Sequence, residues 1–204
     1  MPTPDVQLAL DCSFTGLAIA VRTSTQTFTF STSIPRSSDI LPTELQSLLA
    51  QAQATVADIR RIIVTTGPGS FTGIRLGLAT AEAFKLLNPA IEIIGVSTLQ
   101  ALATQITATH APTTGFTLAL DAAGGQAYVQ SFAPDATPTS EATCVAFTEV
   151  PADTRLFASP SLLMESTPIT ELSATHILTL AENEARHLPP QPVYLKPLTY
   201  KKQG

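Results

Sequence analysis

Two aspartates stand at matching places in the chain. Asp11 closes the run LALD at 8–11, and Asp121 closes an identical LALD at 118–121. Each run continues through a small-residue turn (CSFTG in one case, AAGG in the other) into a second apolar run, LAIAV or AYVQSF. A carboxylate at the end of such a strand can orient a metal ion or a water, while the N–H groups of the following turn cradle phosphate. The same residues also serve a plainer purpose, because Asp readily forms the turn that ends a strand. The residue pattern leaves both readings open.

The second stretch with chemical content is TTGPGSFTGIRLG at 65–77, three glycines and a proline between β-branched residues and helix formers. It is not a Walker loop, since Ile74 and Arg75 occupy the places of the Lys and Ser/Thr. A dinucleotide fingerprint also fails, because Gly67, Gly69 and Gly73 are spaced one residue too widely. A nucleophile elbow needs glycines where Pro68 and Thr72 stand. What remains is an anion at a helix N-terminus or a tight turn whose Ser70 or Thr72 caps the next helix. His110, His176 and His187 lie far apart, and no HxxxH pair occurs, so their spacing suits no single-helix ligand set. Cys12 and Cys144 stand alone and read as free thiols.

The elements that would position these residues follow from periodicity. Apolar runs at 6–10 and 17–21, with alternation at 27–30, predict an antiparallel meander. Helical spacing follows over 40–52, a buried strand over 62–66, a helix from the glycine turn to about 87, a strand over 91–96 and a helix over 99–109. The repeated LALD at the head of the second half suggests an internal duplication. Prolines then interrupt the pattern, leaving short runs at 144–147 and 156–158 and a helix over 172–187, so a shortened second copy is expected. In the helix over 70–87, Arg75, Glu82 and Lys85 share one wedge and apolar residues cover most of the remaining arc. Gly73, Gly77 and Ala81 recur every four residues, a stripe that permits close approach of another helix. The arc is wider than one sheet requires, so either the helix is sandwiched between the sheet and its neighbour over 40–52, or the helices over 40–52 and 70–87 together present an apolar face to a second protein.

The chain has 204 residues, 44% apolar and 13% charged, with net charge −5. That balance gives no electrostatic footprint for gripping nucleic acid alone. The opening MPTPDVQLALD lacks the basic segment and apolar run of a secretory signal, and a cytoplasmic location is expected.

TTGPGSFTGIRLGLATAEAF resembles the signature GPGSFTGxRxGxxxA of the bacterial TsaB (YeaZ) family. The flanking LALDCSFTGLAIAV, IGVSTLQALA, LALDAAGGQAYVQSF and PVYLKP resemble further stretches of that family, so the resemblance spans most of the chain. It implies an α/β fold of the two-lobed actin/hexokinase/Hsp70-like (ASKHA) type, with an N-terminal lobe over 1–110 and a shortened, degenerate C-terminal lobe over 111–204. It further implies a non-catalytic scaffold subunit in the synthesis of tRNA threonylcarbamoyladenosine. Such a subunit pairs with the catalytic subunit TsaD through the two N-terminal helices and helps dock the ATPase TsaE. The implied interface residues are Leu41, Leu45, Leu48, Leu49, Ile74, Gly77, Leu78, Ala81 and Lys85. The signature turn comprises Gly67, Pro68, Gly69, Ser70, Phe71, Thr72, Gly73 and Arg75, and Asp11 and Ser13 are the candidates for lying near nucleotide. No catalytic residue and no metal are implied, tRNA is met indirectly, ATP or ADP enters with the assembled complex, and the same helices could pair two copies of the chain. The sequence departs from the family where Arg36 stands in place of a His and Lys196 in place of an Arg. The competing reading is a small kinase-like phosphotransferase using Asp11 and Asp121 around Mg-ATP; a peptidase reading lacks both metal ligands and a Ser–His arrangement.

Overall fold

The structure is a computed structural model, and it describes residues 5–34, 37–151, 155–162 and 165–196. Arg36 lies outside the described residues. Two five-stranded mixed sheets carry the fold. The first has the order β3-β2-β1-β4-β5, built from β1 (Val6–Asp11), β2 (Leu17–Arg22), β3 (Thr27–Thr32), β4 (Ile59–Thr65) and β5 (Glu92–Val96). The second has the order β10-β9-β6-β7-β8, from β6 (Phe116–Asp121), β7 (Gln126–Phe132), β8 (Thr143–Ala146), β9 (Arg155–Ala158) and β10 (Thr167–Pro168). Read from the outer meander strand, both run third, second, first, fourth, fifth, and in both the first strand pairs antiparallel with the second and parallel with the fourth. The duplication suggested by LALD is therefore present in the topology.

The halves differ in their helices. The first carries α1 (Ser37–Gln51), α2 (Phe71–Leu87) and α3 (Thr98–His110). In the second, the described residues of the links corresponding to α1 and α2 hold one 3₁₀ turn each, at Phe147–Glu149 and Pro160–Leu162, and a short α4 (Ala174–Leu180) stands where α3 stands in the first. The helix expected over 172–187 is thus shorter, ending in a turn and a further 3₁₀ segment at Glu184–Arg186.

Strand alternation sorts the side chains into layers. Leu8, Leu10, Leu17, Ile19 and Val21 face one way, into a cluster with Leu41, Leu45, Leu48 and Leu49 of α1 and Ala81 of α2. Their neighbours Ala9, Ala18 and Ala20 face the other way, where a continuous cluster joins α3, α4 and the aromatic residues Phe116, Phe132 and Phe157 of the second half. Small residues on this face let α4 lie close across the first sheet. The outer face of the second sheet, with no helix over it among the described residues, is closed by Val150 and Leu162 against Val129 and Leu156.

Candidate functional site: two clasped turns and the cleft beside them

The parallel pairing of β1 with β4 brings the ends of both strands together, so the turn after Asp11 meets the glycine turn after Thr65. Asp11 is buried at 2% exposure and its carboxylate is fully engaged. The Ser13 backbone N–H donates to Oδ1 at 3.0 Å, the Ser13 hydroxyl donates to the same oxygen at 2.6 Å, and the Thr65 hydroxyl donates to it as well. The Phe14 N–H reaches Oδ2 at 3.3 Å. The Ser13 hydroxyl also lies 2.8 Å from that of Thr98 at the start of α3. This network ties the first turn to β4 and α3 and satisfies a charge that would be costly to bury alone.

The glycines of the second turn are explained by the same contact. A Cβ on Gly69 would lie 2.3 Å from the Ser13 carbonyl oxygen, and one on Gly73 would lie 1.7 Å from that of Cys12. The Ser70 N–H donates to the Ser13 carbonyl at 2.7 Å, while the Ser70 hydroxyl accepts from the Gly73 N–H at 3.2 Å and caps α2. Gly67 has φ +109°, open to glycine alone, and its carbonyl accepts from the Thr98 N–H at 2.9 Å. The glycine-rich turn thus grips another turn of its own chain.

The α2 small-residue stripe likewise faces inward. A Cβ on Gly77 would come 3.1 Å from Val64 of β4, and Ala81 is fully buried. Of the expected interface positions, Ile74, Gly77, Leu78 and Ala81 pack α2 onto its own sheet. Leu48 is buried beneath α1 in the same way. Leu41, Leu45 and Leu49 belong to the core yet also floor an apolar groove of about 760 Å³ between α1 and α2. Its walls are Pro42, Gln46, Ala50, Ala79, Thr80, Ala83 and Phe84, among others. Lys85 is exposed, and the adjoining Leu86 and Leu87 are 84% and 74% exposed. The apolar arc read from the sequence is therefore divided between the chain's own sheet and this groove.

A second cavity of about 780 Å³ opens between the halves. Ser13, Phe14, Thr15, Ser70 and Phe71 line it from the first half, Asp121, Ala123, Tyr128, Ser159 and Ser161 from the second, and Tyr194 and Lys196 from the C-terminal segment. Asp121 is exposed there and accepts from the Ala123 N–H at 2.7 Å. Asp11, buried behind Ser13, is not among its lining residues. Among the described residues no cluster of three His, Cys, Asp or Glu side chains could hold a metal ion. Burial, with the neighbouring Asp11 carboxylate, pushes the Cys12 thiol well above its ordinary range. Sequence reasoning missed Thr65 as a partner of Asp11, Thr98 as a partner of Ser13, and the aromatic lining of the cleft. The only sign of the two threonines was a polar residue at the end of each buried strand.

Similarity to known proteins agrees with this architecture. The family model described as TsaD, tRNA N6-adenosine threonylcarbamoyltransferase, matches residues 31–150. The TsaB protein of Buchnera aphidicola is 33% identical over 101 residues, which is 48% of this chain and 47% of that one. The Escherichia coli TsaB is 39% identical over 64 residues, 31% of this chain and 27% of that one. Both carry the name tRNA threonylcarbamoyladenosine biosynthesis protein, and the chain spans half or less of their length in these matches. The solved structure of YeaZ from Pseudomonas aeruginosa superposes with a TM-score of 0.79 at 20% identity, covering 94% of this chain and all of that one. The family match spans residues 31–150, and on it the chain belongs to the TsaD family; the relatives it resembles are named TsaB, and its fold is that of the solved YeaZ structure.

Proposed function

We propose that the chain is a non-catalytic subunit in tRNA threonylcarbamoyladenosine synthesis, pairing with TsaD through the surface of α1 and α2 and helping to dock TsaE. The observation that carries this reading is the apolar groove between those helices, continued by the exposed Leu86 and Leu87. Grooves lined by helix faces of this kind are filled by apolar side chains of another protein. The two lobes implied by the sequence, divided near residue 110, would then have separate tasks, recruitment in the first and closure of the cleft in the second. The same groove would accommodate a second copy of the chain where TsaD is absent. Location in the cytoplasm follows from the proposed role.

The arrangement of the carboxylates supports a scaffold over a phosphotransferase. A kinase-like site needs Asp11 free to orient metal or water, whereas its oxygens here accept from Ser13, Phe14 and Thr65. Asp121 is the one carboxylate among the described residues lining the cleft. Nucleotide would accordingly be met in the assembled complex and not by this chain alone.

Light-scattering gel filtration with TsaD from the same organism tests the reading. A one-to-one complex, lost in Ala83→Glu, is the expected result. Absence of a complex together with saturable Mg-ATP binding by the isolated chain would overturn it in favour of the phosphotransferase.

A further inference from the structure

After α4 and its trailing turns, residues 188–196 run from the edge of the first sheet past the glycine turn to the turn after β6. Leu188 and Gly95 exchange backbone hydrogen bonds of 2.8 and 3.0 Å at the edge of the first sheet. The Val193 N–H donates to the Thr66 carbonyl at 2.8 Å. Two glycines make room for this path: a Cβ on Gly95 would lie 2.7 Å from the Pro189 carbonyl oxygen, and one on Gly67 2.8 Å from that of Val193. The segment then leaves the first half. Tyr194 stacks on Phe71 with ring centroids 5.0 Å apart, and its hydroxyl accepts from Arg75 Nε at 3.2 Å. The Arg75 guanidinium itself lies 3.9 Å from the centre of the Phe71 ring. Two residues on, Lys196 Nζ donates to the carbonyls of Ala122 and Ala123 at 3.0 and 2.9 Å. Those carbonyls belong to the turn after β6, on the far side of the cleft.

We propose that residues 188–196 form a strap that latches the cleft, with Lys196 as the latch and the Phe71–Arg75–Tyr194 stack as its release. The two ends differ in strength. The backbone pairs at Gly95 and Thr66 hold the strap to the first half, whereas charge-assisted bonds from one ammonium hold it to the turn at 121–125. Tyr194 and Phe71 are 40% and 42% exposed, at the start of α2, and Arg75 is exposed beside them. A partner filling the groove at Ala79 and Ala83 that extends one turn back over Arg75 to the start of α2 competes with Tyr194 for Phe71 and Arg75. Taking them loosens the strap, withdraws Lys196 and opens the cleft around Asp121 and Tyr128. This goes beyond the pairing proposed above by giving it a consequence inside the chain, and its partner arm rests on that pairing.

Hydrogen exchange of the full chain, read on peptides covering 121–127 and 188–196, tests the latch without any partner. Lys196→Met is expected to raise exchange at 121–127 about tenfold, the loss of a hydrogen bond from a charged group, and Lys196→Arg to restore protection. Arg75→Ala, which touches nothing in that turn, is expected to raise exchange there too. Unchanged exchange at 121–127 in Lys196→Met would overturn the latch, and unchanged exchange in Arg75→Ala would overturn the release. Added TsaD is expected to raise exchange at 121–127 in the wild-type chain and to add nothing in Lys196→Met. TsaD that binds but leaves 121–127 unchanged overturns the coupling while the pairing stands. TsaD that does not bind overturns the pairing, and the two variants still decide the strap.

Discussion

Gly73, in the first turn of α2, packs directly beneath the Cys12 carbonyl, where a Cβ would come within 1.7 Å of the oxygen. Neither partner is a flexible side-chain end, so the contact yields only by moving backbone. Gly73→Ala is therefore expected to cost roughly 3 kcal/mol or more, read as a shift of the urea midpoint. Gly115→Ala, at an exposed site where the nearest atom to a new Cβ is 3.1 Å away, is expected to cost clearly less. Equal losses at the two sites would deny the clasp its special tightness.

Ala81 and Ala83 separate the inner and outer faces of α2. Ala81→Glu places a carboxylate in the cluster of Leu8, Leu45 and Ile62, and is expected to unfold the chain or leave it aggregated. Ala83 is exposed on the wall of the groove, so Ala83→Glu is expected to change stability by no more than about 0.5 kcal/mol while abolishing pairing with TsaD. Circular dichroism melts beside gel filtration give both readings from one preparation. If Ala83→Glu still pairs, the groove is not the docking surface.

The two cysteines should behave differently. Cys12 is buried, with its thiol pushed far up by burial, and thiolate is the reactive form. Cys144 is half-buried at the edge of the second sheet. Ellman titration of the native chain at pH 8 is expected to count one thiol, and a second after denaturation. Two fast-reacting thiols in the native chain would show that the first strand-turn opens readily.

His176 gives the chain a sign for its acid side. Burial depresses its folded pKa below the ordinary value of 6.5, so the unfolded chain takes up the proton first. Stability is then unaffected above about pH 6.5 and falls as pH drops from there toward the depressed pKa. His176→Gln is expected to flatten the melting temperature between pH 7.5 and 5.5 relative to wild type. Asp58, held down chiefly by the Thr55 backbone N–H, and Asp135, by that of Thr137, lose their contributions only below the usual carboxylate range. An unchanged pH slope in the variant would remove His176 from this account.

Much of the fold was legible because periodicity and punctuation agreed. The strands around LALD, the helix launched at Ser70 and the strand at 91–96 all announce themselves by alternation, a cap or a following Asn88-Pro89. The facing of α2 was not legible. A stripe of Gly73, Gly77 and Ala81 signals close approach but not to what, and its partners, Cys12 and Val64, are far away in sequence. The role of Asp11 was hidden for the same reason: a turn-forming and a metal-orienting aspartate are identical letters until Thr65 is brought to its side. The cleft was hidden too, since Tyr194 and Lys196 reach it from the other end of the chain.

The loss of two helices from the second half bears on the valence of the molecule. A duplicated chain with α1 and α2 counterparts in both halves would carry two related grooves, and heterologous contacts through them could propagate without end. Here the described residues of the corresponding links hold single turns at Phe147–Glu149 and Pro160–Leu162, and among the described residues the groove between α1 and α2 has no twin. If the proposed pairing uses that groove, assembly through it would stop at a pair.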